Sequence, residues 1–111
     1  MAALNSSVMN EIILKDAKDN DFLELAGKAI GKISTDGSNA GITDAALAVV
    51  SQIVGLQELD LEWADRITDT GLGYLSDARS LRYLDISFCK GLTSAGIDKL
   101  KSKRPDLEIE S

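Results

Sequence analysis

Two consecutive stretches of equal length repeat one another along the chain. Residues 42–66 read ITDAALAVVSQIVGLQELDLEWADR, and residues 67–91 read ITDTGLGYLSDARSLRYLDISFCKG. The two stretches are identical at eight aligned positions, and most of these are apolar sites that a core needs. A third, truncated copy spans residues 92–111 and gains one residue before Leu107. A fixed period of roughly 20 to 50 residues indicates a stacked array of structural units.

Each unit combines a helical pattern with a strand pattern, in that order. Thr43, Thr68 and Thr93 each precede apolar residues at helical spacing, and a threonine hydroxyl can cap the first turn of a helix. Later in the unit, residues 59–61 and 84–86 alternate apolar and acidic side chains, which is typical of a short strand with one buried face. Stacked units of this kind bury a continuous core, with parallel strands on a concave face and helices on a convex face.

The pattern resembles the cysteine-containing subclass of leucine-rich repeats, whose units read approximately L-x-x-L-x-L-x-x-C-x-x-I-T-D-x-G-L-x-x-L. The copy with the best agreement is formed by Leu81, Leu84, Ile86, Cys89, Leu92, Thr93, Gly96, Ile97 and Leu100. Ala64 departs from the pattern at the cysteine position of the first unit, and Ser94 replaces the aspartate of the third. The resemblance implies a short right-handed α/β solenoid and a structural Cys89 whose thiol faces turn backbone.

Such repeats are best known from the substrate-recognition arms of F-box proteins, so the resemblance also implies a protein-binding scaffold. It identifies no partner, because function belongs to the displayed side chains rather than to the fold.

Residues 1–41 do not follow the 25-residue spacing and are expected to form a mostly helical N-terminal cap, within one structural domain that continues through residues 42–111. Val8, Ile12 and Ile13, followed by the apolar residues between Phe22 and Ile30, suggest one or two short helices that are broken near residues 15–21, and Asp21 could cap the second. Ile30 and Ile33 could add a degenerate strand, followed by a loop over residues 34–39.

An alternative for Val8 to Ala29 is an F-box-like pair of helices, which would make the chain an adaptor. That comparison is poor because the segment lacks a proline-rich start and a tryptophan.

The composition of the chain limits the functions and the partners that we expect for it. The chain has no histidine and one cysteine, and it contains neither a phosphate-cradling glycine loop nor a serine-centred hydrolase motif, so we expect no catalysis, cofactor or metal. A net charge of −6, from 18 acidic and 12 basic residues, argues against nucleic acid and anionic membranes as partners and favours a basic protein surface. One cysteine and no visible targeting signal are typical of the cytosol or nucleoplasm rather than of a secreted protein.

The candidate binding residues lie on the outward side of the predicted strands. Six of the eight outward residues in the three strands are acidic, with Glu108 and Glu110 in the last strand, and either solubility or a basic partner must explain this charge. Trp63 and Phe88 occupy equivalent positions in successive units, so the fold would place them side by side, either as a binding hot spot or merely packed against each other. The predicted partner-binding set is Glu58, Asp60, Glu62, Trp63, Tyr83, Asp85, Ser87 and Phe88.

The residues therefore predict a non-enzymatic module that binds a protein or peptide through an acidic concave face. The alternative is a structural subunit that assembles through the ends of the solenoid, and the oligomeric state is left open.

Overall fold

The computed structural model describes residues 10–111. Strands and helices alternate along this part of the chain, and the five strands form one parallel sheet in sequence order. The elements are β1 (Glu11–Lys15), α1 (Asp19–Leu23), β2 (Lys32–Asp36), α2 (Asp44–Val50), β3 (Glu58–Asp60), α3 (Asp69–Leu75), β4 (Tyr83–Asp85), α4 (Ser94–Lys103) and β5 (Glu108–Glu110). The predicted α/β solenoid with a parallel sheet is confirmed.

The strand register follows the sequence repeat. Leu59 pairs with Leu84, and Leu84 pairs with Ile109, each one repeat further along the chain. Leu59 and Leu84 are fully buried, whereas Asp60 and Asp85 beside them are partly exposed. The predicted assignment of inward and outward side chains is therefore confirmed.

A ladder of carboxylates joins the starts of the helices. Asp19 accepts hydrogen bonds from both the backbone N–H (2.7 Å) and the hydroxyl (2.6 Å) of Thr43. The same pair of bonds links Asp44 to Thr68 and Asp69 to Thr93. Each threonine hydroxyl also accepts a hydrogen bond from the first turn of its own helix. One residue type thus caps a helix and connects it to the preceding unit.

The ladder carboxylates lie very close to the next helix, which explains why each of the last two helices has a glycine at the point of contact. A side chain at Gly71 would collide with Asp44, and a side chain at Gly96 would collide with Asp69. The helices can therefore pack near the carboxylates only with glycine at these positions.

The N-terminal segment differs from its prediction. The residues expected to form a first helix around Ile12 are strand β1, and α1 is only five residues long. Strand β2 includes residues 34–36, which were expected in a loop. Residues 10–41 are therefore not mostly helical, and Val8 lies outside the described residues. Pairing with β2 decides the outcome, because it lets Ile12 and Leu14 pack against the core while Ile13 points outward.

Asp21 does cap helix α1, although from inside the helix rather than from the residue before it. The helix begins at Asp19, and the Asp21 carboxylate accepts a hydrogen bond from the backbone N–H of Lys18 at 2.9 Å, as the third helical residue of a capping box does. Ile33 is in a strand, as expected, but in a regular one, and Ile30 is buried just before it. The F-box alternative needs a helix where β1 lies, and the residues from Asn10 onwards contradict it.

Residues 17–41 form a further unit that was missed in the sequence. Asp19 lies one repeat before Asp44 and has the same role in the ladder, while Phe22 is fully buried at the position equivalent to Leu47. Only the aspartate is identical between residues 17–41 and 42–66, so an identity count could not detect this unit.

Candidate functional site

Two aromatic side chains stand out at the ends of the central strands. Trp63 follows β3, and Phe88 follows β4 at the equivalent position. Their rings stack with centroids 4.4 Å apart and an interplanar angle of 13°. Even so, Trp63 is 53% exposed and Phe88 is 59% exposed. The predicted neighbours therefore do pack against each other, yet they keep more than half of their surface in solvent.

Both aromatic residues have a left-handed backbone conformation, with φ of 65° at Trp63 and 63° at Phe88. This conformation costs a residue with a Cβ atom about 1–2 kcal/mol, whereas an aromatic pair contributes about 0.5–1.5 kcal/mol beyond its buried area. The stacking contribution therefore offsets only part of the strain at two positions, which is about 2–4 kcal/mol in total. Strained residues whose side chains stay largely exposed are often found at functional sites.

Three carboxylates lie beside the aromatic pair, two at the ends of β3 and β4 and one in the turn after β3. Oxygen atoms of Asp60, Glu62 and Asp85 are all within 4.8 Å of one another. Asp60 accepts a hydrogen bond from the backbone N–H of Glu62 at 3.0 Å, and Asp85 accepts one from that of Ser87 at 2.9 Å. These bonds fix the two aspartates at the start of each turn.

The environment of these carboxylates changes the pKa values of Asp60 and Glu62. Burial, followed by the charge of Asp85, raises the pKa of Asp60 against the opposing effects of its bond to Glu62 and of Lys32. The pKa of Glu62 is also raised, first by burial and then by the charges of Asp85, Asp60 and Glu110. Because like charges oppose ionisation, a cation placed among these groups would be stabilised. A lysine, an arginine or a divalent metal ion has the required charge.

Of the other members of the predicted set, Glu58 and Tyr83 lie at the starts of the strands, whereas Ser87 lies in the turn after β4. Glu58 and Tyr83 pair across β3 and β4, and Lys32 is 3.8 Å from Glu58 and 3.9 Å from Glu11. Burial raises the pKa of the Tyr83 hydroxyl, with further contributions from Asp85 and from the glutamates of β5. The structure thus brings Asp60, Glu62 and Asp85 together, while Lys32 partly neutralises Glu58. The outward surface forms a shallow hollow over β2, β3 and β4, with three carboxylates and Lys32 in its lining.

The turn that carries Trp63 is held from both sides. Cys89 donates its thiol hydrogen to the carbonyl of Leu61 at 3.0 Å, and burial raises the pKa of this thiol to about 11. From the other side, the amide of Asn39 donates to the carbonyl of Glu62 at 2.6 Å. The predicted structural role of Cys89 is confirmed. Asn39 was missed, although it lies one repeat before Ala64 and two repeats before Cys89.

Comparison with known proteins agrees with this architecture. A family model described as Leucine Rich repeat matches residues 56–76 and 77–101, a span that includes all eight candidate residues. No curated protein matches the chain. Within residues 10–111, no helix is both long and apolar enough to cross a membrane. Leucine-rich repeats are generally protein-interaction modules and are typically non-enzymatic. The repeat spacing, the parallel sheet and the family match together show that the chain is a leucine-rich repeat protein.

Proposed function

We propose that the chain binds a basic segment of a partner protein through one surface, here named the acidic-aromatic face. Its residues are Glu58, Asp60, Glu62, Trp63, Tyr83, Asp85, Ser87 and Phe88. The observation that carries the proposal is the strained, exposed stack of Trp63 on Phe88 beside three crowded carboxylates.

The two kinds of side chain have different tasks in this mechanism. Carboxylates attract a lysine or arginine over a distance, which increases the association rate at low salt. The outer ring faces of Trp63 and Phe88 then contact the aliphatic stem or the cationic head of that residue, which slows dissociation. Docking of this kind needs no catalytic group.

Binding to synthetic peptides tests the proposal directly. An arginine-rich, a lysine-rich and a neutral peptide of equal length are titrated into the protein, with association and dissociation rates measured at low and high salt. The informative variant is Asp60→Asn with Asp85→Asn, since asparagine keeps the oxygen that accepts the turn hydrogen bonds but removes the charge. We expect slower association and a weaker salt dependence.

Asp77→Asn with Asp98→Asn is the matched control, because it removes the same charge from two exposed sites outside the face. Equal effects of the two double variants, or equal affinity of the wild type for the neutral and basic peptides, would contradict the proposal.

A second variant separates binding from folding. Trp63→Gly removes the aromatic ring and also relieves the left-handed strain, so its stability should stay within about 1 kcal/mol of the wild type. Its complex with a basic peptide should dissociate faster. Unchanged dissociation would show that the ring has no part in binding.

Assembly through the end of the solenoid is a second candidate. Leu92, Ile97 and Ile109 are only partly buried at the β5 end, whereas their counterparts one unit earlier are fully buried or nearly so. This end would have to be covered in an obligate assembly. Sedimentation at micromolar concentration distinguishes the candidates, since a monomer contradicts obligate self-assembly.

A further inference from the structure

Three of the four arginines in the chain converge at the edge of the sheet where β4 and β5 begin, and none of them belongs to the acidic-aromatic face. They line a hollow of about 480 Å³. The residues around it are Ser76, Arg79, Arg82, Lys103, Arg104 and Asp106. Four cations and one carboxylate are an unexpected set for a chain whose net charge is −6.

Arg104 and Asp106 form the fixed floor of this basic hollow. Arg104 is 5% exposed and holds Asp106 through two hydrogen bonds of 3.1 and 3.0 Å. The same guanidinium donates to the carbonyls of Ala78 at 2.7 Å and Leu81 at 2.6 Å. Its donors are therefore occupied within the protein, and the charges of the pair largely cancel.

The remaining cations, Arg79, Arg82 and Lys103, give the hollow its positive charge. Arg82 contacts Asp106 at 3.0 Å, but Asp106 is already engaged by Arg104. No described carboxylate lies within ion-pair distance of Arg79 or Lys103. Cations near the ends of α3 and α4 could simply compensate the helix dipoles. Arg104 already donates to the carbonyls at the end of α3, however, so the dipole of that helix does not account for Arg79, and of the three cations only Lys103 lies in the last turn of α4.

We propose that this basic hollow binds a phosphate dianion, carried either by a phosphorylated side chain or by a small phosphate ester. Guanidinium groups match phosphate oxygens in a planar, two-bond geometry, and Lys103 adds a point charge. The volume exceeds that of a phosphate alone, so the group that carries it has room. This site is independent of the acidic-aromatic face and would let one module contact ligands of opposite charge.

The test is titration of the full chain, followed by NMR, with three probes: inorganic phosphate, a phosphoserine peptide with neutral flanks, and the unphosphorylated form of that peptide. Inorganic phosphate should shift the resonances of the residues lining the hollow more than chloride does at equal ionic strength. A phosphopeptide that binds more tightly than inorganic phosphate indicates a protein-borne ligand, and one that binds less tightly indicates a small ester.

Arg79→Gln with Lys103→Gln should weaken binding of inorganic phosphate about tenfold, since two charge-assisted contacts are lost. Lys28→Gln with Lys101→Gln is the matched control, because it removes two exposed cations outside the hollow and should leave the affinity unchanged. Equal weakening by both double variants, or an equal response to chloride and phosphate, would overturn the proposal. Thermal unfolding of each variant verifies that the fold is retained.

Discussion

Carboxylates at the helix starts and carboxylates at the strand ends are the same chemical group in opposite situations. In the ladder, Asp44 and Asp69 each accept two hydrogen bonds from a threonine of the next unit. The bonds to Thr93, its side chain first, lower the pKa of Asp69, whereas burial raises that of Asp60 on the acidic-aromatic face. Ladder carboxylates therefore hold the units together. Those of the face repel one another and are available to a partner.

Loss of core packing beneath the acidic-aromatic face should have the largest effect on stability. Leu84 is fully buried between Tyr83 and Asp85. Leu84→Ala should lower the free energy of unfolding by about 2–5 kcal/mol because it leaves a cavity in the central strand. Urea denaturation measures the change, and a loss below about 1 kcal/mol would contradict the assigned packing.

Removal of a ladder carboxylate should lower the free energy of unfolding by less than the loss of Leu84 does. Asp44→Ala removes both bonds to Thr68 and leaves a backbone N–H without its partner, so we expect a loss of about 2 kcal/mol. Asp44→Asn, which can keep one acceptor, should lose less.

The matched substitution on the face is Asp60→Ala. It removes one hydrogen bond but relieves repulsion from Asp85, so stability should change by less than about 1 kcal/mol. Equal losses for Asp44→Ala and Asp60→Ala in urea denaturation would remove the distinction between the ladder and the face.

The pH dependence of stability should show the smallest effect, with opposite signs for the two sets. The pKa values of Asp60 and Glu62 are raised from their ordinary values of 3.8 and 4.5, so the folded state binds protons more readily in the window just above those values. Stability should therefore rise as the pH falls through that window. The pKa of Asp69 is lowered from 3.8, so its contribution is present above 3.8 and is lost below it.

Urea denaturation across this pH range should give a shallow maximum on the acidic side. Asp60→Asn with Glu62→Gln should remove the rise and preserve the fall at lower pH. A fall without a preceding rise in the wild type would contradict the raised pKa values of Asp60 and Glu62.

Much of the architecture of β3 and β4 could be predicted, because there the residues that are identical between repeats also fit the apolar alternation of a strand. Leu59 and Leu84 occupy the same position of successive repeats within matching strand patterns, which determines both the register and the side facing the core. The stacking of Trp63 on Phe88 follows from the same spacing.

The rest depends on tertiary contacts that no local pattern encodes. Ile12 and Ile13 fit a helical spacing with Val8, whereas Ile12 and Leu14 fit the alternation of a strand, and pairing with β2 decides between the two. The basic hollow was missed because its arginines belong to a loop and to the segment before β5, which the insertion before Leu107 shifts out of the repeat. The role of Asp19 was missed because its partner, Thr43, is 24 residues away.

Support of the Trp63 turn from both neighbours means that the units are not interchangeable. Ala64 has no polar side-chain atom, and the carbonyls of Leu61 and Glu62 receive their side-chain donors from Cys89 and Asn39 in the adjoining units. A tandem array built only from residues 42–66 would have alanine at all of these positions and no such donors. An engineered extension of this solenoid must therefore copy the order of asparagine, alanine and cysteine across three successive units.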